Sequence, residues 1–405
     1  MAQFCYACHR ISEEKKDDCD YDSFELKEAD CTLPESIELD GQKFEFLECT
    51  FPGENIKAYR VRDVENYDNY LYASINSDIV NNEEFDAWFS ARAKFRHENV
   101  LSCIKYGALP TGQHYILSEL PQGETLLEAL KTDGEMKAKI CVYVADQILD
   151  ALIALKKEGI FHGNVMPSKC LLIQDAKKAN LLKLGGISIP DKCFNNLEDK
   201  PDKRFPETVS PLYISPERAE GAPPCEKSEI YSVGALMYEC FSGIPAYTAD
   251  SHEKLLKAHK EGHVLPLRGV APELDIPAML DDMVLKAMSK DPKDRFDSFE
   301  HMSAHLMEAA ERSRIYVLED EEKDRKFMPP VIYKRLTQEN PVLTEEAIER
   351  MEQIKEEEKL KAEQEAARER AELRHTAREL NKTNKALIVV SVVAIFCVIY
   401  LLLKQ

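Results

Sequence analysis

A two-lobed α+β body, followed by a charged helix and one membrane-spanning helix, is the architecture this sequence predicts, and three observations predict it. Residues 36–120 alternate apolar and polar side chains in short runs rich in aromatic and branched residues (KFEFLECTF, IKAYRVRDV, NYLYASINS). That is the pattern of antiparallel strands. Residues 121–312 change to a 3.6-residue period, seen in ICVYVADQILDALIALKKEG and EIYSVGALMYECFSG, which marks helices. Residues 386–403 read ALIVVSVVAIFCVIYLLL without a charge; at 1.5 Å per residue such a helix reaches roughly 27 Å, enough for a bilayer's hydrocarbon core.

The segments follow in order. Residues 1–35 are acidic and cysteine-bearing and read as a separate small module or tail. Within it Cys5 and Cys8 form a C-x-x-C pair, with Cys19, His9 and Cys31 as further candidate zinc ligands. The second close pair that normally completes a zinc ribbon is not evident, so zinc binding and free reduced thiols stand as alternatives. The β-rich lobe (36–120) is expected to hold one helix near residues 83–95, and the helical lobe (121–312) follows it. A linker over 313–343 contains Pro329, Pro330 and Pro341.

Residues 344–385 are almost wholly Glu, Lys, Arg, Ala and Gln, a composition that favours a helix with many i,i+4 charge pairs. Ala366, Leu373, Leu380 and Leu387 recur every seven residues, with Ala377 and Asn384 on the other seam, as in a weak parallel coiled coil. Arg370 falls on that seam, so a homodimer through 344–385 and a lone helical spacer both remain open. Lys382 and Lys385 precede the apolar run, and only Lys404 and Gln405 follow it. The expected arrangement is a single-pass, C-terminal anchor with the body in the cytoplasm.

Composition limits the function. At 405 residues and 44% hydrophobic content the chain can bury an ordinary core. A formal charge of −20 argues against nucleic acid as a partner, because capture of phosphates requires clustered lysine and arginine. Twelve cysteines scattered behind an N-terminus without an apolar signal core suggest reduced thiols.

Four segments carry a family resemblance, which extends over residues 36–312. GIFHGNVMPSKCLLI (159–173) resembles the catalytic loop of Hanks-type Ser/Thr protein kinases. SPLYISPER (210–218) resembles the end of their activation segment. SEIYSVGALMYECFSGIPAY (228–247) resembles the helix behind the active site, and SKDPKDRF (289–296) the late motif with a structural arginine. The resemblance implies a bilobal protein-kinase-like fold.

The same resemblance marks what is missing. Where the family has the Asp that accepts the substrate hydroxyl's proton stands Asn164, an amide without useful basicity. Met166 replaces the Lys that contacts the γ-phosphate, and Lys169 replaces a magnesium-binding Asn. Gly186, in KLGGIS (183–188), replaces the metal-binding Asp. In the small lobe, FPGENI (51–56) keeps only Gly53 of the glycine loop, with Phe51 and Ile56 where backbone should approach phosphate. Ile75, or Ser74 with a one-residue shift, stands for the phosphate-binding Lys, and Trp88 aligns near its Glu partner. The hinge begins at Glu119, and Pro121 lacks the N–H that would meet adenine.

By the same resemblance His162, Glu217 and Arg295 are retained supports of the fold, and Glu229 stands in for an Asp that ties down the catalytic loop. Gly163 replaces an Arg that receives an activating phosphate. The leading expectation is a membrane-anchored pseudokinase that binds or scaffolds an unidentified protein, with no ATP or magnesium. Two alternatives remain: an atypical active Ser/Thr kinase drawing metal ligands from Glu229, Asp191 or Asp199, and a structural spacer between an N-terminal zinc module and the membrane.

Overall fold

The computed structural model describes residues 2–315, except 13–15, 21, 23, 25, 54, 77–79, 174–180, 188, 190–192, 194–208, 271–275 and 314. All described residues belong to the first of the two units into which the chain divides, Met1–Val342 and Leu343–Gln405. Most of the linker, the charged helix and the apolar run therefore lie outside the described residues. Among those described, no helix is long and apolar enough to cross a membrane.

The segment read as a separate module or tail is a three-stranded sheet, β1 (Gln3–Cys5), β2 (Arg10–Ser12) and β3 (Lys27–Glu28), in the order β2-β1-β3. Its interior residues Cys5, Ala7, Cys8, Cys19, Phe24 and Leu26 are continuous with the core of the large lobe. The sequence alone does not reveal this, because strands of two or three residues show no periodicity.

The small lobe is an antiparallel sheet of β4 (Ser36–Leu39), β5 (Gln42–Pro52), β6 (Ile56–Asp63), β7 (Asn69–Ile75), β8 (Cys103–Ala108) and β9 (His114–Glu119). Its order is β4-β5-β6-β7-β9-β8. Alternation fixes its register: Leu39, Phe44, Tyr59, Val61, Tyr72, Tyr115 and Leu117 share one buried cluster. Helix α1 (Asn82–Arg92) starts at Asn81, whose side chain accepts from the Glu84 N–H, and packs Phe85 and Phe89 against Ile56, Ile75 and Cys103.

Crossing to the large lobe, β10 (Gly123–Thr125), β11 (Cys170–Ile173) and β12 (Leu181–Leu184) form a small sheet. Thr125 and Glu128 form a reciprocal capping box that starts α2 (Leu126–Asp133). Helix α3 (Ala138–Lys157) is amphipathic, whereas α5 (Glu226–Ser242) is buried on nearly every side, as expected of a helix without a polar face. Gly243, in the left-handed region at φ 74°, ends α5. Around these two pack α4 (Pro216–Ala219), α6 (His252–Glu261), α7 (Leu267–Val270), α8 (Ala278–Ala287) and α9 (Phe299–Arg312). The bilobal α+β fold expected from the sequence is thus present over the described residues.

Candidate functional site

The catalytic-loop segment runs from Gly159 to a short 3₁₀ turn, Pro167–Lys169, between α3 and β11. Asn164 and Met166 are buried there, Met166 within the large-lobe core. The Lys169 N–H donates to the Met166 carbonyl at 3.0 Å, and the Lys169 carbonyl accepts from the Gly185 N–H at 2.8 Å. Lys169 then extends its methylenes across Gly186. A Cβ added at Gly186 would fall 2.8 Å from Lys169 Cδ and 3.2 Å from Cε.

The two residues that sequence comparison treats as separate losses are therefore one packing unit. The lysine stem lies where an Asp side chain at 186 would begin. Its ammonium stands 5.9 Å from the Phe51 ring centroid, and burial pushes it down to about 8. At neutral pH it is still cationic, and a cation between these two elements opposes a divalent metal.

In the small lobe Ile75 is fully buried at the end of β7, paired in register with Ile56 and His114. Its neighbours Phe85 and Phe89 come from α1, so an apolar contact occupies the place where the resemblance expects a Lys–Glu pair. Ser74, the alternative with a one-residue shift, is also buried on β7. Trp88 stacks edge-on against Phe89, and the Arg92 guanidinium lies 5.3 Å from its ring. Glu119 ends β9 and accepts from Lys183 Nζ at 2.7 Å and from the Ser102 N–H at 2.9 Å. Burial pushes this carboxyl up, but the Lys183 and Ser102 hydrogen bonds outweigh it and hold it below its ordinary value. Pro121 lies in the connection between β9 and β10.

The supporting residues are densely bonded. Arg295 Nη1 and Nη2 donate to the two Glu217 carboxylate oxygens at 2.7 and 2.9 Å. The guanidinium also donates to the carbonyls of Ser289, Lys227 and Lys290 and lies 5.0 Å from the Tyr231 ring. Glu229 accepts from the Gly163 N–H at 2.6 Å, so the longer side chain still ties the catalytic-loop backbone to α5. His162 bridges its ring to the Gly185 carbonyl at 3.0 Å and accepts from the Asn164 N–H at 3.2 Å. Burial holds its imidazole down to about 3, hence neutral. Arg218, which sequence reasoning missed, donates Nη1 to the Gly163 carbonyl. Of the metal ligands invoked for an atypical kinase, Glu229 is committed to this backbone bond, and Asp191 and Asp199 lie outside the described residues.

The N-terminal sheet reaches into the same region. Phe4 and His9 lie 5.2 Å from the Phe51 ring, which also has the Lys169 ammonium 5.9 Å from its centroid. Ser210, from the activation-segment motif, donates its hydroxyl to the Ala7 carbonyl. Gly53 and Pro52 are buried beside Phe51. The turn after β1 is thus bracketed by the degenerate glycine loop, the catalytic loop and the activation segment. Burial, aided by the Lys169 charge, pushes the His9 imidazole well below its ordinary value.

Within that sheet Cys5, Cys8, Cys19 and Asp22 are all buried and bring four ligand atoms within 4.8 Å of one another. Asp22, missed in the sequence, has a readable signal: Cys19-x-x-Asp22 is a second close pair with a carboxylate in place of a thiol. The other two candidates do not join. His9 packs on Phe51, and Cys31 packs at the small-lobe cluster beside Cys49. Their closeness to the C-x-x-C pair in sequence is lost once β1 pairs with β2 and the chain runs on to β4.

Comparison with known proteins agrees with this fold. A sequence profile of the protein kinase domain matches residues 72–307. The chain is 25% identical over 303 residues to a probable serine/threonine-protein kinase of Clostridium perfringens, covering 72% of this chain and 42% of that protein. Its identity to the serine/threonine-protein kinase PrkC of Bacillus subtilis is 25% over 264 residues, covering 62% and 39%. To PknB of Mycobacterium tuberculosis it is 24% over 272 residues, covering 65% and 42%. The chain therefore spans less than half the length of these relatives. A crystal structure of Rad53 in complex with AMP-PNP shares the fold at a TM-score of 0.50 and 17% identity, over 67% of this chain and 64% of that one.

Proposed function

The chain belongs to the protein kinase domain family, and we propose that it is a pseudokinase, a kinase fold used to bind or scaffold another protein without transferring phosphate. One observation carries this reading: the Lys169 side chain lies across Gly186, between the two elements that supply metal ligands in the family. A kinase stabilises its transition state by metal-assisted charge neutralisation and positioning. Here both ligand positions are altered, and the side chain between them is a cation. Asn164 removes the base, and Ile75 removes the phosphate-pairing lysine. Losses of groups that act together leave little residual rate.

Membrane attachment through residues 386–403, and pairing of two copies through 344–385, form part of the same proposal and rest on sequence. An active kinase is the rival reading, since the relatives bear that name. The two differ in a thermal-shift titration with ATP and magnesium, run beside a radiolabelled phosphoryl-transfer assay. The pseudokinase reading expects no metal-dependent rise in melting temperature and no transfer. A metal-dependent rise in melting temperature, or metal-dependent phosphoryl transfer, would overturn it.

A further inference from the structure

The strands of residues 1–35 are three, three and two residues long, too short to hold a fold by pairing alone. Yet this segment closes on a compact buried cluster. Two turns face each other across it. In the first, the His9 N–H donates to the Cys5 carbonyl at 2.8 Å and sets Cys5 and Cys8 on one side. In the second, the Cys19 N–H donates to the Phe24 carbonyl at 2.8 Å, and the Phe24 N–H to Asp22 Oδ1 at 3.0 Å. Cys8 Sγ and Cys19 Sγ are 3.7 Å apart, and Cys5 Sγ is 3.3 and 3.4 Å from the Asp22 oxygens.

A tetrahedral zinc ion with about 2.3 Å bonds to sulfur and about 2.1 Å to oxygen requires edges of about 3.8 Å between sulfurs and about 3.6 Å from sulfur to oxygen. The Cys8–Cys19 and Cys5–Asp22 separations are close to those edges, and all four ligand atoms lie within 4.8 Å of one another. Asp22 is 1% exposed. Among the described residues, its oxygens meet the Phe24 N–H and lie beside the Cys5 thiol. A carboxylate so placed is costly unless a cation joins it.

We propose that Cys5, Cys8, Cys19 and Asp22 bind one structural zinc ion, and that the metal holds the Cys5–Cys8 turn as a stopper in the kinase cleft. The second half follows from position. The turn between two of the ligands carries Ala7, bonded to Ser210, and His9 follows it, packed on Phe51. Binding deprotonates the thiols and couples metal occupancy to the fold of the module. The zinc site stands whether or not the chain is a pseudokinase, so its failure and the failure of that reading are separable.

The test uses the full-length chain. Elemental analysis of the purified protein is expected to give about one zinc per chain. Cobalt substitution is expected to give the visible absorption of tetrahedral thiolate coordination. Cys19→Ser and Asp22→Ala should each lower zinc retention under chelator at least tenfold, Cys31→Ser should leave it unchanged, and Asp22→Cys should retain zinc if the fourth corner is correctly placed. Removal of zinc should speed hydrogen exchange at residues 49–53 and 166–170 while α5 stays protected. Absence of zinc together with a Cys8–Cys19 disulfide, native iron, or equal zinc retention in Asp22→Ala overturns the site. Unchanged exchange at 49–53 and 166–170 in the metal-free chain overturns the stopper.

Discussion

The two lobes treat a buried charge pair in opposite ways. In the large lobe Arg295 and Glu217 keep a bidentate contact, with three carbonyls filling the remaining guanidinium donors. In the small lobe, at the place where the resemblance expects the family's other charge pair, Ile75 shares a buried cluster with Phe85 and Phe89. Well-packed apolar groups can replace a buried ion pair at no cost in stability, whereas removal of one partner leaves an uncompensated charge. A pair that only holds phosphate is thus dispensable to the fold of a chain that, as proposed, binds none. A pair that ties three segments of backbone is not.

The contrast can be broken most severely at Glu217. Glu217→Ala strands the Arg295 guanidinium and is expected to cost about 3–5 kcal/mol, read as a lowered midpoint in chemical denaturation. Ile75→Ala opens a cavity and costs about 2–4 kcal/mol in the same measurement. It gains no nucleotide binding.

The packing of Lys169 on Gly186 predicts a coupling. Gly186→Asp alone displaces the lysine stem and strains a backbone held at φ 68°, about 1–2 kcal/mol. Lys169→Asn in the same chain recovers part of it, so a double-mutant cycle should give a non-zero interaction of about 1 kcal/mol.

Acid and base test the carboxylates in opposite directions. Burial pushes Glu217 up, but its Arg295 contacts outweigh this and leave it below its ordinary value. Its stabilising contribution is therefore present above the usual glutamate range and lost as pH falls below it. Glu229 is raised to about 8 by burial, against the pull of the Gly163 N–H and Arg218. Its contribution is full below the ordinary glutamate value and declines as pH rises toward about 8. Glu229→Gln should flatten that slope in melting temperature against pH and leave the acid limb unchanged. The smallest effect belongs to Arg60 and Glu48, an exposed pair on the small-lobe sheet, where Glu48→Gln should change stability by less than about 1 kcal/mol.

Much of the fold was legible because its signals are local. The apolar period of α3 and α5, the alternation of β5 to β7, and Pro216 opening α4 all act within a few residues. The departures at Asn164, Met166, Lys169 and Gly186 could be read for the same reason, since each is a substitution inside a segment that resembles a kinase motif. What sequence did not show depends on contacts between distant segments. Lys169 meets Gly186 only because the 3₁₀ turn and the residues after β12 are hydrogen-bonded side by side. Arg218 reaches back to Gly163 across the activation segment. Asp22 was hidden among neighbouring carboxylates at Asp17, Asp18 and Asp20, which composition reads as a solvated acidic stretch. Its burial, set by the sheet closing on the large lobe, is what separates it from them.

The central claim is that this chain's own side chains stand where nucleotide and metal would be held. Calorimetric titration of the full-length chain with ATP tests it most directly, with and without magnesium. No binding that depends on the metal is predicted; saturable binding at physiological ATP that requires magnesium would contradict the account.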